Sequence, residues 1–187
     1  MDKFVFFSKP FPHWKFDNFL PEKKAVQLLT ALSKEIFDLK DSDLFTFFQT
    51  NDLKTTENNV IQEFVTFFST VFAKKLESVT GTGIKLGSVD ISGTKYCNTH
   101  HLLPHDDQLE GRKLAFIYYL STLNNTEGGA LALYNSKNNN PTEVSERIQP
   151  QFNRLVIFKV TSKSFHEVEE VLTGKLRIAL SGWFHGK

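Results

Sequence analysis

The stretch Thr99-His100-His101-Leu102-Leu103-Pro104-His105-Asp106-Asp107 decides how this 187-residue chain reads. Thr99 to Pro104 is strand-like. Side chains on a strand alternate faces, so His105 and Asp107 are expected on one face and Asp106 on the other. An imidazole and a carboxylate on one face are two of the three ligands of a 2-His-1-carboxylate facial triad, which leaves positions on a non-haem iron open. Alone the pair is a weak signal, and its bland alternative is a solvated pair at a strand end. His100 and His101 raise the question of zinc. Pro104 opposes the helix that would align His101 with His105, and no cysteine pair accompanies them, which speaks against that metal.

Around this stretch the pattern is that of short strands. Residues 84–92, 94–103, 113–121, 130–134, 155–160, 164–168 and 175–184 are rich in β-branched and aromatic side chains and are bounded by turn residues such as Asn124-Asn125. The Asn-rich stretch 135–142 reads as a loop. Before Gly81-Thr82-Gly83 the period is helical. Pro21 suits a helix start, and Ala25, Leu28, Leu29, Leu32 and Ile36 recur at three- and four-residue steps. Val60, Ile61, Phe64, Phe68, Val71, Phe72 and Leu76 repeat that spacing, while 38–59 is polar and irregular apart from Leu44-Phe45 and Phe47-Phe48. The expected architecture is α+β and mainly β. One domain over 1–187 would join a helical support segment, 1–80, to a small β-sandwich or barrel, 81–187.

Composition narrows the class. Lys+Arg 22 against Asp+Glu 21 gives a net charge of +1, without the basic excess of a phosphate-gripping protein, so direct nucleic-acid binding is not expected. The single Cys97 excludes an internal disulfide and suits a reducing compartment, cytoplasmic with the nucleus compatible as well. The apolar run Phe4 to Phe7 is too short for a signal-peptide core, and no run has the ~18 residues that span a bilayer. Nineteen phenylalanines against one methionine point to a bulky aromatic core. Oligomeric state is not legible.

Two further residues sharpen the chemistry. His166 lies in the strand-like run Ser164-Phe165-His166-Glu167-Val168 and supplies a third ligand. Arg177 lies in Leu176-Arg177-Ile178-Ala179-Leu180, and a guanidinium in an apolar strand needs an anionic partner. Glu169 or Glu170 could be that partner; so could a dicarboxylate co-substrate held by a bidentate pair.

His105-x-Asp107…His166…Arg177 resembles the 2-oxoglutarate- and Fe(II)-dependent oxygenases. More specific strings narrow the likeness: Leu102-Leu103-Pro104-His105-Asp106-Asp107, Glu110-Gly111-Arg112-Lys113-Leu114-Ala115-Phe116, Pro150-Gln151-Phe152-Asn153 and Ser181-Gly182-Trp183-Phe184-His185-Gly186. They resemble the catalytic domain of the ribosomal prolyl 3-hydroxylases. The likeness is clear from about Tyr96 to Gly186 and weaker before, where Phe11-Pro12-His13 and Asp17-Asn18-Phe19-Leu20-Pro21 are similar to the opening segment of prolyl hydroxylase domains.

The resemblance implies a double-stranded β-helix, or jelly roll, with Fe(II), 2-oxoglutarate and O2 as cofactor and co-substrates. It implies that His105, Asp107 and His166 hold the metal and that Arg177 binds the far carboxylate of 2-oxoglutarate. It also implies that Tyr96 and Tyr119 line that pocket, although aromatics in strands are usually core. The implied substrate is a proline-containing protein, a small-subunit ribosomal protein, with no membrane involved; another protein or a free amino acid is the alternative. A non-catalytic β-helix that binds a protein is a different class, which the intact ligand set opposes. Two departures stand out. Many related prolyl hydroxylases carry Ser two residues after the arginine, where this chain has Ala179. The eukaryotic ribosomal enzymes resemble a tandem, and the second β-helix domain is not within these 187 residues. Specificity is expected in the segments around the pocket, 4–18, 38–59 and 135–149. Arg112 has no role from sequence, and His13 and His185 read as structural or as supports behind the site's ligands.

Overall fold

In the computed structural model, which describes residues 4–187, the strand pattern past Gly83 becomes eight strands. They are β5 (Ile84–Tyr96), β6 (His101–His105), β7 (Arg112–Tyr119), β8 (Leu131–Lys137), β9 (Asn140–Ile148), β10 (Leu155–Lys159), β11 (His166–Val168) and β12 (Arg177–Gly186). Gly93 does not separate two strands as expected. It continues β5 opposite Leu180, and a Cβ there would lie 2.6 Å from the Leu32 side chain.

The 1–80 segment is only partly helical, which corrects the expectation of a helical support. Its helices are α1 (Glu22–Leu32), α2 (Asn59–Phe67) and α3 (Ala73–Thr80), the last two joined through a π-helical turn, Phe68–Phe72. The same segment also holds β1 (Val5–Phe7), β2 (His13–Phe16), β3 (Asp38–Ser42) and β4 (Phe45–Gln49). Strands of three to five residues carry too little periodicity to stand out, and all five residues of β3 are exposed, so that strand has no apolar face. Ile36, read as the end of the first helical stripe, lies beyond α1 and is 80% exposed. Residues 1–3 lie outside the described residues.

All strand pairs are antiparallel, in the order β1-β2-β10-β7-β12-β5-β4-β6-β11-β8-β9, with β3 pairing β4 off this path. Two-residue alternation then sorts the strands' side chains into two cores. Leu114, Phe116 and Tyr118 of β7, Leu155 and Ile157 of β10, and Leu180 and Phe184 of β12 face the helices, meeting Leu28, Phe64, Phe68 and Phe72. The intervening Ala115, Ile117, Tyr119, Val156, Phe158 and Ala179 meet Leu131 and Leu133 of β8 and Ile148 of β9. Strands from opposite ends of one sheet thus face each other, and the sheet is a jelly roll with helices on its outer face. The phenylalanine count is spent mainly on the helix side, where Phe68 alone meets Phe19, Phe64, Phe72, Phe116 and Phe184.

Three local devices hold the roll in place. β4 pairs β5 at Phe48 and Gln49 and β6 at Phe45 and Thr46, so one short strand joins the two layers at a corner. At the helix side, buried Asn153 has φ 66; its Oδ1 accepts from Tyr118 Oη at 2.7 Å and Leu20 N at 3.0 Å, and its Nδ2 donates to Leu20 O at 2.7 Å. At the far edge, Glu146 of β9 reaches Lys15 Nζ at 2.8 Å and His13 Nε2 at 3.1 Å, both in β2. Among the described residues no helix is long and apolar enough to cross a membrane.

Candidate metal centre and carboxylate pocket

His105 ends β6, and the ladder sets it directly opposite His166 of β11. Asp107 does not reach the same side by strand alternation. The strand has ended, and Asp107 lies in the left-handed region at φ 62, a conformation that Asn and Asp adopt more readily than other residues with side chains. The turn points its carboxylate back between the two rings, with Oδ1 3.5 Å from His105 Nε2 and Oδ2 3.4 Å from His166 Nε2. Ligand atoms of all three residues lie within 4.8 Å of one another, the one such cluster among the described residues.

The tautomers follow from hydrogen bonding. His105 Nδ1 lies 2.8 Å from Leu103 O, and His166 Nδ1 lies 2.8 Å from Ser164 O. A carbonyl only accepts, so each Nδ1 carries the proton and donates it, and each Nε2 is left with a lone pair. Two imidazole lone pairs and a carboxylate therefore converge on one point, an arrangement that repels itself unless a cation sits there. This donor set, imidazole and carboxylate on one side, suits Fe(II). Burial and the neighbouring His166 push His105 down to about 4, against the pull of Asp107, so the ring stays neutral.

Arg177 begins β12 and is 1% exposed. Its Nε donates to Gly129 O at 2.8 Å and its Nη2 to Tyr119 Oη at 3.5 Å, and its guanidinium lies 4.9 and 5.1 Å from the ring centroids of Tyr96 and Tyr119. Among the described residues no carboxylate pairs with it; Glu169 bonds Arg147 at 2.7 Å instead. A buried guanidinium with donors to spare is a receptor for an anion. Burial pushes both phenols up, so each keeps its proton and can donate it.

A cavity of about 90 Å³ connects these groups, lined by His105, Asp107, His166, Tyr96, Arg177 and Trp183 among others. Tyr119, expected to line it, is not among its lining residues and touches it only through Arg177, whose Nη2 lies 3.5 Å from its hydroxyl. A larger groove of about 820 Å³ lies apart, between α1, α2 and Asn153, and holds no ligand cluster.

The structure adds residues that sequence reading missed. Phe47 and Gln49 enter the cavity from β4, with Phe47 stacked on Tyr96 at 5.0 Å. The irregular look of 38–59 concealed them. Thr94, Ser181 and Trp183 also line it, and the last two could have been found by counting in twos from Arg177. Arg112 gains a place: its guanidinium lies 3.4 Å over the Trp183 ring, and its Nη1 is 3.8 Å from Asp107 Oδ1. His100 and His101 join no metal cluster. His13 and His185 lie outside the ligand cluster, the former bonded to Phe11 O and the latter 2.9 Å from Asp90.

Fold and site together define a class, and the chain belongs to it: residues 91–185 match the family model of the 2OG-Fe(II) oxygenase superfamily. Particular relatives refine the likeness. The chain is 38% identical over 186 residues to prolyl 3-hydroxylase OGFOD1 of Xenopus laevis, covering 96% of this chain and 36% of that one. It is 36% identical over 211 residues to prolyl 3,4-dihydroxylase OGFOD1 of Ostreococcus tauri, covering all of this chain and 40% of that one. The fold is shared with a crystal structure of a Pseudomonas putida prolyl-4-hydroxylase at a TM-score of 0.78 and 16% identity, over 94% of this chain and 92% of that one. The chain thus spans between a third and about two fifths of the length of the curated relatives it matches.

Proposed function

We propose that the chain is the catalytic domain of an Fe(II)- and 2-oxoglutarate-dependent protein prolyl hydroxylase whose target is a prolyl residue of a small-subunit ribosomal protein. The observation that carries the reading is the convergence of two Nε2 lone pairs and the Asp107 carboxylate in a cavity that also exposes an unpaired guanidinium, Arg177. Sequence likeness to prolyl 3-hydroxylases over nearly the whole chain supports the prolyl target. The ribosomal target rests on the four strings named above.

When bound, Fe(II) with 2-oxoglutarate and O2 supplies an oxidant that hydroxylates a C–H bond as 2-oxoglutarate is decarboxylated to succinate. His105, Asp107 and His166 would hold the metal on one side and leave the other open. Arg177 would neutralise the far carboxylate of 2-oxoglutarate, with Tyr119 and Tyr96 donating from either side. Leu102, Phe158 and Val168 in the cavity wall would keep water away from the reacting groups.

The test is succinate formation under Fe(II), 2-oxoglutarate and air, with and without a proline-containing ribosomal-protein loop peptide. The expected result is peptide-stimulated turnover with a mass gain of one oxygen on the peptide. Turnover that ignores the peptide would discard the ribosomal target. Asp107→Ala and His166→Ala should each abolish turnover and Mn(II) binding with the fold intact, and full activity in either would overturn the ligand assignment.

A further inference from the structure

The strand path ends at β1, which pairs β2 and, among the described residues, bonds no strand on its other side. Side-chain alternation divides this short strand between two faces. Phe6 stands opposite Trp14 on the side that meets the helices, with the two rings 5.3 Å apart and Phe4 beyond them. Trp14 in turn stands opposite Ile157 of β10, so Lys159, two residues further on, lies on the same face. The Lys159 backbone N–H donates to Pro12 O at 3.1 Å, which fixes that end of the row.

These side chains and Val79 of α3 surround a groove of about 440 Å³. Its apolar rim is open to water, with Phe6 55% and Val79 40% exposed. Lys159 is the one charged residue that lines it. Among the described residues no carboxylate pairs with this ammonium group, whereas Lys15, on the opposite face of β2, is held by Glu146 at 2.8 Å. The groove therefore presents apolar surface and a positive charge without its counter-ion, beside a backbone edge that has hydrogen bonds to give. Apolar surface suits an apolar side chain, and the lone cation suits a carboxylate.

We propose that the β1 edge docks an extended segment of another protein, which adds as a strand beside Val5–Phe7, seats an apolar side chain against Phe6 and Trp14, and sets a carboxylate on Lys159. Main-chain hydrogen bonds along β1 supply affinity without regard to sequence. The groove supplies the selection, and it reads every second side chain of the incoming strand, because alternate residues fall on its side. The partner is thus recognised by an apolar and an acidic residue two positions apart. A second copy of this chain fits poorly, since Val5-Phe6-Phe7 holds no acidic residue to meet Lys159. None of the groove's residues lines the metal cavity, so this surface stands apart from the chemistry proposed above.

The experiment titrates the isotope-labelled protein with two capped peptides and follows its resonances by NMR. Each peptide carries Leu two residues before a charged position, which is Glu in one and Lys in the other. The Glu peptide should shift the amides of Val5, Phe6 and Phe7 and the Trp14 indole, and should bind about tenfold or more tightly than the Lys peptide, the effect of a hydrogen bond between charged groups. Lys159→Glu should reverse that order of preference, a result that damage to the fold cannot give. Phe6→Ser should weaken binding of the Glu peptide with little change in melting temperature, since the ring is half exposed. Equal affinity for the two peptides, or a preference that Lys159→Glu leaves unchanged, overturns the pairing with Lys159 and the proposal with it. Peptide shifts that avoid β1, or no shifts at all, overturn the docking site. Resonances of β1 that move with protein concentration alone would give the edge to a second copy and overturn it as well.

Discussion

His105 is built to stay neutral, and that has a measurable consequence for the metal-free protein. In the unfolded chain an imidazole takes up its proton near pH 6.5; in the folded chain His105 does so only at about 4. Between those values the unfolded state binds more protons, so the stability present above pH 6.5 is lost as the pH falls toward 4. This ring alone should cost roughly 2 kcal/mol between pH 7 and pH 5. Urea unfolding at the two pH values checks it, and His105→Gln should flatten the difference. A slope unchanged by the substitution would show that His105 takes up its proton at the same pH in the folded chain as in the unfolded one. At this scale the ligand residues were legible because imidazole and carboxylate at strand ends are chemically distinctive. The reason they meet was not: Asp107 turns inward through φ 62, which residue identity alone does not announce. Thr94 was hidden for a different reason, since its place in the cavity wall depends on a ladder that pairs it with Ala179, 85 residues away.

Elements with a continuous apolar face or run were readable; those without one were not. The stripes of α1 and α2 follow from three- and four-residue spacing, and β7, β10 and β12 follow from dense apolar runs between turn residues. β9 was expected as loop because its exposed Glu143, Ser145 and Arg147 are polar and its partly buried side interrupts Val144 and Ile148 with the charged Glu146. Its turn explains why it forms. Asn138 and Asn139 sit at φ 52 and 55 between the paired Lys137 and Asn140, the two-residue hairpin geometry that matches the twist of the flanking strands. Asn139→Gly should therefore be neutral or stabilising by a few tenths of a kcal/mol, whereas Asn139→Val should cost about 1 kcal/mol or more. Thermal melting of the two variants checks this; equal melting points would mean that pairing with β8 sets the hairpin and the turn merely follows. Asn58 plays the matching role for α2. Its Oδ1 accepts from Val60 N at 3.1 Å and Ile61 N at 3.4 Å, and Asn58→Ala should cost about 1 kcal/mol by the same measurement.

The roll as a whole is held from both sides of the cavity. β4 joins the layers at one corner, and Glu146 ties the last strand of the path to β2, next to its first. That tie is half-buried, so it is worth more than a surface ion pair but less than a fully desolvated one. Glu146→Ala should lower stability by up to about 1 kcal/mol, because it leaves Lys15 without its carboxylate partner. An unchanged urea midpoint would show that the apolar contacts of Phe11, Phe158 and Ile148 close this edge without help. A sandwich or barrel class was legible from the count and length of strands. Which strands lie at the ends, and that two of them meet, was not, because closure is set by contacts among residues far apart in sequence.

β3 carries one more implication. It bonds β4 along one side only, and every residue in it is exposed. A bare strand edge is a template on which a second molecule can add its own strand, the first step toward aggregation. In β3 the edge is written Asp38-Leu39-Lys40-Asp41-Ser42, with a charge on three of its five side chains. An incoming strand would have to strip water from those charges, so the strip that offers free backbone to a neighbour also discourages its approach.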